Sequence, residues 1–481
     1  MNHLFQHKNS FYDAEKVSWD SLLFDGRALR RLLVPLMLEQ LLNSFMGMMD
    51  TMMVSRVGSA AISAVSLVDS INVLFIQIFA ALATGGTILC SQYLGSGDRK
   101  RCSRAAEQVA LSTAVISIGI MAVCLVTRGP LLRLVFGSVE PAVMQNSETY
   151  FWVTALSYPF IALFQVGSAF YRAGGNSRFP MAVSVISNIM NIIGNAIFIF
   201  GFQWGVFGAA LSTTLSRIFC MAVIFLCLRR PFFPGTHEPQ PIILKNYGRV
   251  RPDFEMIVRI LAVGVPSGIE NGMFQFGKLA IQSSVSTLGT TAIAAQAMTV
   301  IFENLNGVGG IGIGIGLMTI VGQCIGAGRV EEAKYYIVRL SLDCYGVILA
   351  SCLAAYAICG PVTKLAGMDP EAAAMCVFML GWITVVKPLI WTPAFCGPYG
   401  LRAAGDVKYS MIVSSLCMWT LRVVLTTVLI RVFHFGPIAV WIGMFSDWLV
   451  RGILYFARFR SGKWLNHHLI EETEANRTET A

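Results

Sequence analysis

Two carboxylates, Glu39 and Asp50, fall within one apolar stretch, Val34–Gly58. Leu32–Val54 is long enough to cross about 30 Å of hydrocarbon at roughly 1.5 Å per residue. A charge at that depth costs on the order of 2.5–3.5 kcal/mol, so such residues face an interior cavity and carry function. Asp50 therefore reads as a carboxylate that binds a cation or a proton; the plainer reading is a helix-end Asp facing water, since Ser55 and Arg56 follow closely. Asn188, Asn191 and Asn195 are three and four apart and share one helix face. Their amide oxygens suit a hard monovalent cation, and equally suit hydrogen bonds between helices. Glu270 and Lys278 are a little over two turns apart, and Glu303 lies in the next apolar segment. Asp343, Lys387, Arg217, Arg422 and Asp447 are further charges inside apolar segments, with Arg451 four residues from Asp447 and able to neutralise it locally. Gly272–Leu279 fits GxxxxGK but has Leu279 where a phosphate loop needs Ser or Thr, and no strand precedes it. The glycines at 307–316 read as close helix contact or bending rather than a nucleotide site. No ATPase engine is visible, so transport would be secondary.

The elements that hold these residues must be membrane helices. Of 481 residues 55% are hydrophobic and only 13% charged, and mean hydropathy is +0.64. Soluble chains carry roughly 25% charged residues. Continuous apolar runs argue against a β-barrel. The formal charge of +9 sits mostly in loops, as the positive-inside rule expects, and requires no nucleic acid. The twelve cysteines are scattered small hydrophobes, forming neither a disulfide framework nor a metal site. His467 and His468 form a lone pair without further ligands and read as solvated. Asp13, Glu15, Asp20 and Asp25 precede any apolar run, so the start is not a signal peptide.

Apolar segments fall at about 31–54, 67–93, 104–127, 148–171, 180–202 and 205–228, then 257–286, 294–325, 336–359, 371–400, 410–432 and 436–457. The expected fold is all-α and integral to the membrane, with twelve transmembrane helices. The expected division is a cytoplasmic segment 1–30, an N-lobe 31–228, a cytoplasmic linker 229–256, a C-lobe 257–457 and a cytoplasmic tail 458–481. The tail, with Glu471, Glu472, Glu474 and Glu479, reads as disordered. Arg99, Lys100, Arg101 and Arg104, the linker bases Arg229, Arg230, Lys245, Arg249 and Arg251, and the terminal Arg458, Arg460 and Lys463 fall on one side if the count is twelve. Both termini are then cytoplasmic. The halves repeat: Val34–Glu39 matches Val265–Glu270, Gly58–Ala64 matches Gly289–Ala295 and Gln92–Gly97 matches Gln323–Gly328, each 231 later, while Arg172–Arg178 matches Arg402–Lys408 at 230. Two six-helix lobes are then related by a pseudo-twofold axis along the membrane normal, with a substrate path between them.

Taken together, these motifs resemble the multidrug and toxic compound extrusion (MATE) family, of the NorM and DinF kind, over about residues 31–457. The resemblance rests on Pro35 with Asp50 fifteen residues on, GSAAISA and GTTAIAAQA, SQYLGSGD and GQCIGAG, YRAGGNSRFP and LRAAGD. It implies an antiporter, not an enzyme, that exports organic, often cationic lipophilic compounds across the cytoplasmic membrane in exchange for sodium or protons, by alternating access around a central cleft. It implies a coupling-ion or proton site at Asp50, Asn191, Asn195 and Thr213, helix bends at Pro35 and Pro266, and Glu39, Gln40, Glu270, Lys278 and Glu303 as cleft and substrate candidates. Partners would be a small organic substrate and the bilayer, with a monomer as the working unit, no nucleic acid, no cofactor beyond the coupling ion and no structural metal. The C-lobe departs from the NorM pattern, with Phe274 where that branch has a Glu and no Asp counterpart among Lys387–Gly400, which places the coupling ion in the N-lobe. Lys278 is at odds with a purely cationic substrate range. The competing class is a lipid or lipid-linked saccharide flippase of the related superfamily, which would want a strongly basic cavity.

Overall fold

A computed structural model describes residues 11–137, 139–235, 238–245, 250–467 and 469–470. His468, Arg249 and the acidic residues from Glu471 onward lie outside the described residues. Among the described residues the chain is helical, without a strand beyond one isolated bridge, Phe232 with Pro239.

Among the described residues twelve helices are long enough to cross a membrane once the bent fourth one is taken as a unit. They are α1 (Gly26–Ser55), α2 (Ser59–Gly95), α3 (Arg99–Phe136), α4 (Pro141–Leu156 with Tyr158–Ala173), α5 (Arg178–Gly201), α6 (Gly205–Cys227), α7 (Phe254–Val285), α8 (Thr290–Gly326), α9 (Val330–Leu365), α10 (Pro370–Ala403), α11 (Val407–Arg431) and α12 (Ile438–Arg460). Eleven are apolar enough to be membrane spans on composition. The exception is α7, at 32 residues long enough to cross but carrying Glu255, Arg259, Glu270 and Lys278. The halves of α4 meet at 44°; Pro159 follows the break at Ser157, and its missing donor suits the first turn of a new helix. Pro35 and Pro266 sit inside continuous helices. Both α5 and α11 include a wider π turn, at Ala196–Gly201 and Met418–Val424.

The chain forms two units, Leu42–Gly268 and Met1–Leu41 with Ile269–Ala481. In the first, Phe79, Phe151, Tyr158 and Ala210 belong to the buried apolar core. The leading half of α7 belongs to this unit: a Cβ on Gly85 would stand 3.0 Å from the Ile260 carbonyl oxygen. The linker is tied to the same unit, as Gln108 Nε2 donates to the Arg251 carbonyl at 2.8 Å and Arg104 pairs with Asp253 at 2.8 Å.

The second unit contains the leading half of α1, which lies against the glycine run of α8. A Cβ on Gly312 would stand 2.9 Å from the backbone nitrogen of Met37, and one on Gly316 would strike Leu33. Gly310 and Gly314 make room for Trp391 and Tyr399 of α10. The run is thus a close-contact surface between helices, the use small residues have in membranes. Residues 11–25 fasten to the start of α9: Glu332 Oε1 accepts from Leu23 N at 2.7 Å, and the Tyr336 hydroxyl donates to the Phe24 carbonyl at 2.8 Å. His467 does not stand free in solvent, since its Nε2 lies 3.2 Å from Asp406 Oδ1.

Candidate functional site: a polar chain in one unit and an ion-pair array in the other

In the Leu42–Gly268 unit, α1, α5 and α6 bring four side chains into one hydrogen-bonded row. Asn195 Nδ2 donates to Asp50 Oδ1 at 3.0 Å and to Asn191 Oδ1 at 3.2 Å. Asn191 Nδ2 donates to Thr213 Oγ1 at 3.2 Å, and the Thr213 hydroxyl donates to the Ala209 carbonyl. The helical spacing of Asn191 and Asn195 puts both amides on one face, and Gly194 allows the approach of α6, since its Cβ would strike Ser212. Asn188, the third amide of that face, takes no part in the row, and its Nδ2 is buried without a hydrogen-bond partner among the described residues.

Both amide hydrogens of Asn195 are committed to acceptors, which fixes the orientation of its side chain. Its Oδ1 is left buried with no donor among the described residues. An orphaned carbonyl oxygen next to a carboxylate fits a monovalent cation or an added proton, because either supplies the missing partner. The donor set is all oxygen, suited to a hard cation and not to a soft metal.

A second carboxylate faces this region. Asp69 on α2 accepts from Asn72 Nδ2 at 3.1 Å and from the Tyr150 hydroxyl, and the Tyr158 hydroxyl donates to Asn72 Oδ1 at 2.8 Å. Asp50, Asp69 and Arg217 are near enough to feel one another's charge, while Arg217 Nη1 donates to Ser157 Oγ at 2.7 Å. Asp69 is absent from the sequence-based candidates because the apolar run reads as starting at 67, which makes it a helix-end residue. The helix starts at Ser59 and places it ten residues inside. Asn72, three residues on, was the available signal.

The other unit holds Glu270, Lys278 and Glu303, and most of its charges are paired. Glu270 accepts from Arg402 Nη2 at 2.5 Å and from Ser414 Oγ at 2.6 Å. Lys387, fully buried, donates to Glu303 Oε1 at 2.7 Å, to the Glu303 carbonyl at 2.8 Å and to Asn306 Oδ1 at 2.5 Å. Arg451 Nη2 donates to both carboxylate oxygens of Asp447, at 2.7 and 2.9 Å, the four-residue pairing expected from spacing. Lys278 has the Phe274 ring instead, 4.9 Å from its Nζ to the centroid. Glu39 and Pro35 are buried on α1, with Gln40 half-buried beside them. Saturated ion pairs hold helices together: Glu270 links α7 to α10 through Arg402 and to α11 through Ser414, and Glu303 links α8 to α10 through Lys387.

A sequence model of the MatE family matches residues 35–197 and 266–428. The chain belongs to the MatE family. The two matches start at 35 and 266 and end at 197 and 428, the displacement of 231 at which the sequence motifs recur. This MatE chain is 26% identical over 451 residues to a probable multidrug resistance protein NorM of Thermotoga maritima, covering 91% of this chain and 93% of the relative. It is 25% identical over 462 residues to the multidrug resistance protein MdtK of Pectobacterium atrosepticum, covering 91% and 96%. In fold it is similar to an outward-facing multidrug resistance MATE family transporter of the MOP superfamily, with a TM-score of 0.82 at 20% identity, over 90% of this chain and 95% of that one. As a MatE member it is a multi-pass membrane transporter, not an enzyme.

Proposed function

We propose that this MatE chain is a sodium- or proton-coupled antiporter that exports organic compounds from the cytoplasm across the inner membrane, working as a monomer with both termini cytoplasmic. The observation that carries the reading is the orphaned Oδ1 of Asn195, next to Asp50 in the Asp50–Asn195–Asn191–Thr213 row. The multidrug resistance names of the relatives support the cargo class.

In this reading the coupling ion is a second substrate. When Asp50 is charged, the row is short of one positive partner; a sodium ion or a proton supplies it. Filling the site removes the cost of a carboxylate at membrane depth and relaxes α1 below Pro35, a place where a missing backbone hydrogen bond makes bending cheap. Coupling requires ion and cargo to favour different states of the protein, since a ligand shifts an equilibrium only by its differential affinity. Asp50 charge is that difference.

The test is ethidium efflux from proteoliposomes under an imposed sodium or proton gradient, for wild type and Asp50→Asn. The expected result is efflux driven by one of the gradients and reduced at least tenfold in the variant. Equal gradient-driven efflux from the variant would overturn the coupling role. No ethidium efflux under either gradient would overturn the cargo class and make lipid-linked substrates the next to test.

A further inference from the structure

The ion pairs of the second unit do not balance. Lys278, Lys387 and Arg422 lie in electrostatic reach of Glu303, and Arg422 and Arg451 in reach of Asp447. Lys387 occupies Glu303 and Arg451 occupies Asp447. Adding the neighbouring Glu270–Arg402 pair, whose charges Arg451 also feels, leaves the excess of two unchanged. Arg422 is 6% exposed; among the described residues its Nε has no hydrogen-bond partner, and the carboxylate oxygen within ion-pairing distance, Asp447 Oδ2, is 3.9 Å away. Lys278 has no carboxylate within ion-pairing distance among the described residues. The two surplus cations share one neutral partner: the Phe274 ring centroid lies 4.9 Å from Lys278 Nζ and 5.1 Å from the Arg422 guanidinium carbon. Close packing of α7 on α11 at Gly277, where a Cβ would meet Met418 Cγ at 2.9 Å, brings them together.

An aromatic ring offsets only part of the cost of a cation at bilayer depth. Lys278 could shed its proton, but a guanidinium cannot, so at least one unpaired positive charge remains. We propose that Lys278, Arg422 and Phe274 form a binding site for the acidic group of an amphipathic organic anion, a carboxylate, sulfonate or phosphate on an apolar or aromatic body. The acid would bridge the two cations with charge-assisted hydrogen bonds, and the body would lie along Phe274. As a statement about cargo this rests on the export reading; as a binding site it stands apart from it. A free organic acid and an anionic lipid headgroup share this chemistry.

The test uses the full-length protein in detergent, with carboxyfluorescein as probe and fluorescence anisotropy as readout. Wild type is expected to bind it, Lys278→Gln to raise the dissociation constant about tenfold (about 1.4 kcal/mol), and Lys278→Arg to restore it, with melting temperatures showing that each variant is folded. No binding to wild type, or the same constant in Lys278→Gln, would overturn the site. Arg422→Gln is the second variant, and an unchanged constant there overturns the bridging role. Competition by naphthoate supports a small organic acid, and competition by phosphatidylglycerol alone supports a lipid headgroup. Carboxyfluorescein and ethidium efflux are followed in parallel: binding without efflux of either dye keeps the anion site and defeats the export reading, and ethidium efflux without carboxyfluorescein binding does the reverse.

Discussion

Asn195 decides how many positive partners the polar row can accept, because both its hydrogens are spent and its oxygen is not. Replacing it by Asp would set two carboxylates within hydrogen-bond reach of each other. Like charges at that separation cannot both ionise without a compensating cation. Asn195→Asp is therefore expected to bind an additional proton or sodium ion, seen as a steeper dependence of dye efflux on the coupling ion. An unchanged Hill slope would remove Asn195 from the ion site. Two of the four row members were readable from amide spacing, and Asp50 from its depth; Thr213 came only through the family resemblance, since a Thr in a helix is ordinarily bonded to a carbonyl one turn back, as this one also is. Asp69 was missed for want of about eight residues of helix. Side-chain partners depend on which faces meet, and spacing along one helix does not say what stands opposite.

At the scale of elements the twelve long helices were legible, with their centres placed to within about three residues, although α7 is less apolar than a typical span. Their ends were not, because real spans run several residues beyond the hydrocarbon, as α2, α3 and α9 do. The break in α4 was also unread, although Ser157 and Pro159 mark it. The glycine run of α8 offers a pair of contrasting predictions. In Gly312→Val the added atoms meet the backbone of Met37, which cannot rotate away. Overpacking of this kind costs about 1–3 kcal/mol, and a lower melting midpoint in detergent is expected. Gly346 in α9 has nothing within 4 Å of a would-be Cβ. Gly346→Ala should raise the midpoint slightly, in line with a gain of about 0.5–1 kcal/mol for Ala over Gly inside a helix. If both variants melted alike, close packing would not be what the glycines of α8 provide.

At the scale of the whole molecule the repeat was plain in the sequence, but the two units do not follow its boundaries. Residues 1–41 belong with Ile269 onward, and the leading half of α7 belongs with Leu42–Gly268. A fragment 254–481 lacks what lies on Gly312 and Gly316. It is expected to aggregate when expressed alone and to give a single size-exclusion peak when a 1–253 fragment is co-expressed; a well-behaved 254–481 fragment would contradict the assignment of α1 to that unit. The same division sets a timetable for synthesis. The ribosome makes the leading half of α1 well before α8, and its docking surface there is complete only after residue 316, about 280 residues later. At about 5–20 residues per second that is on the order of 15–60 s during which Leu33 and Met37 face lipid or other chain. A span made early is thus packed late, and the leading half of α1 has to be stable as a helix well before its partner on α8 exists.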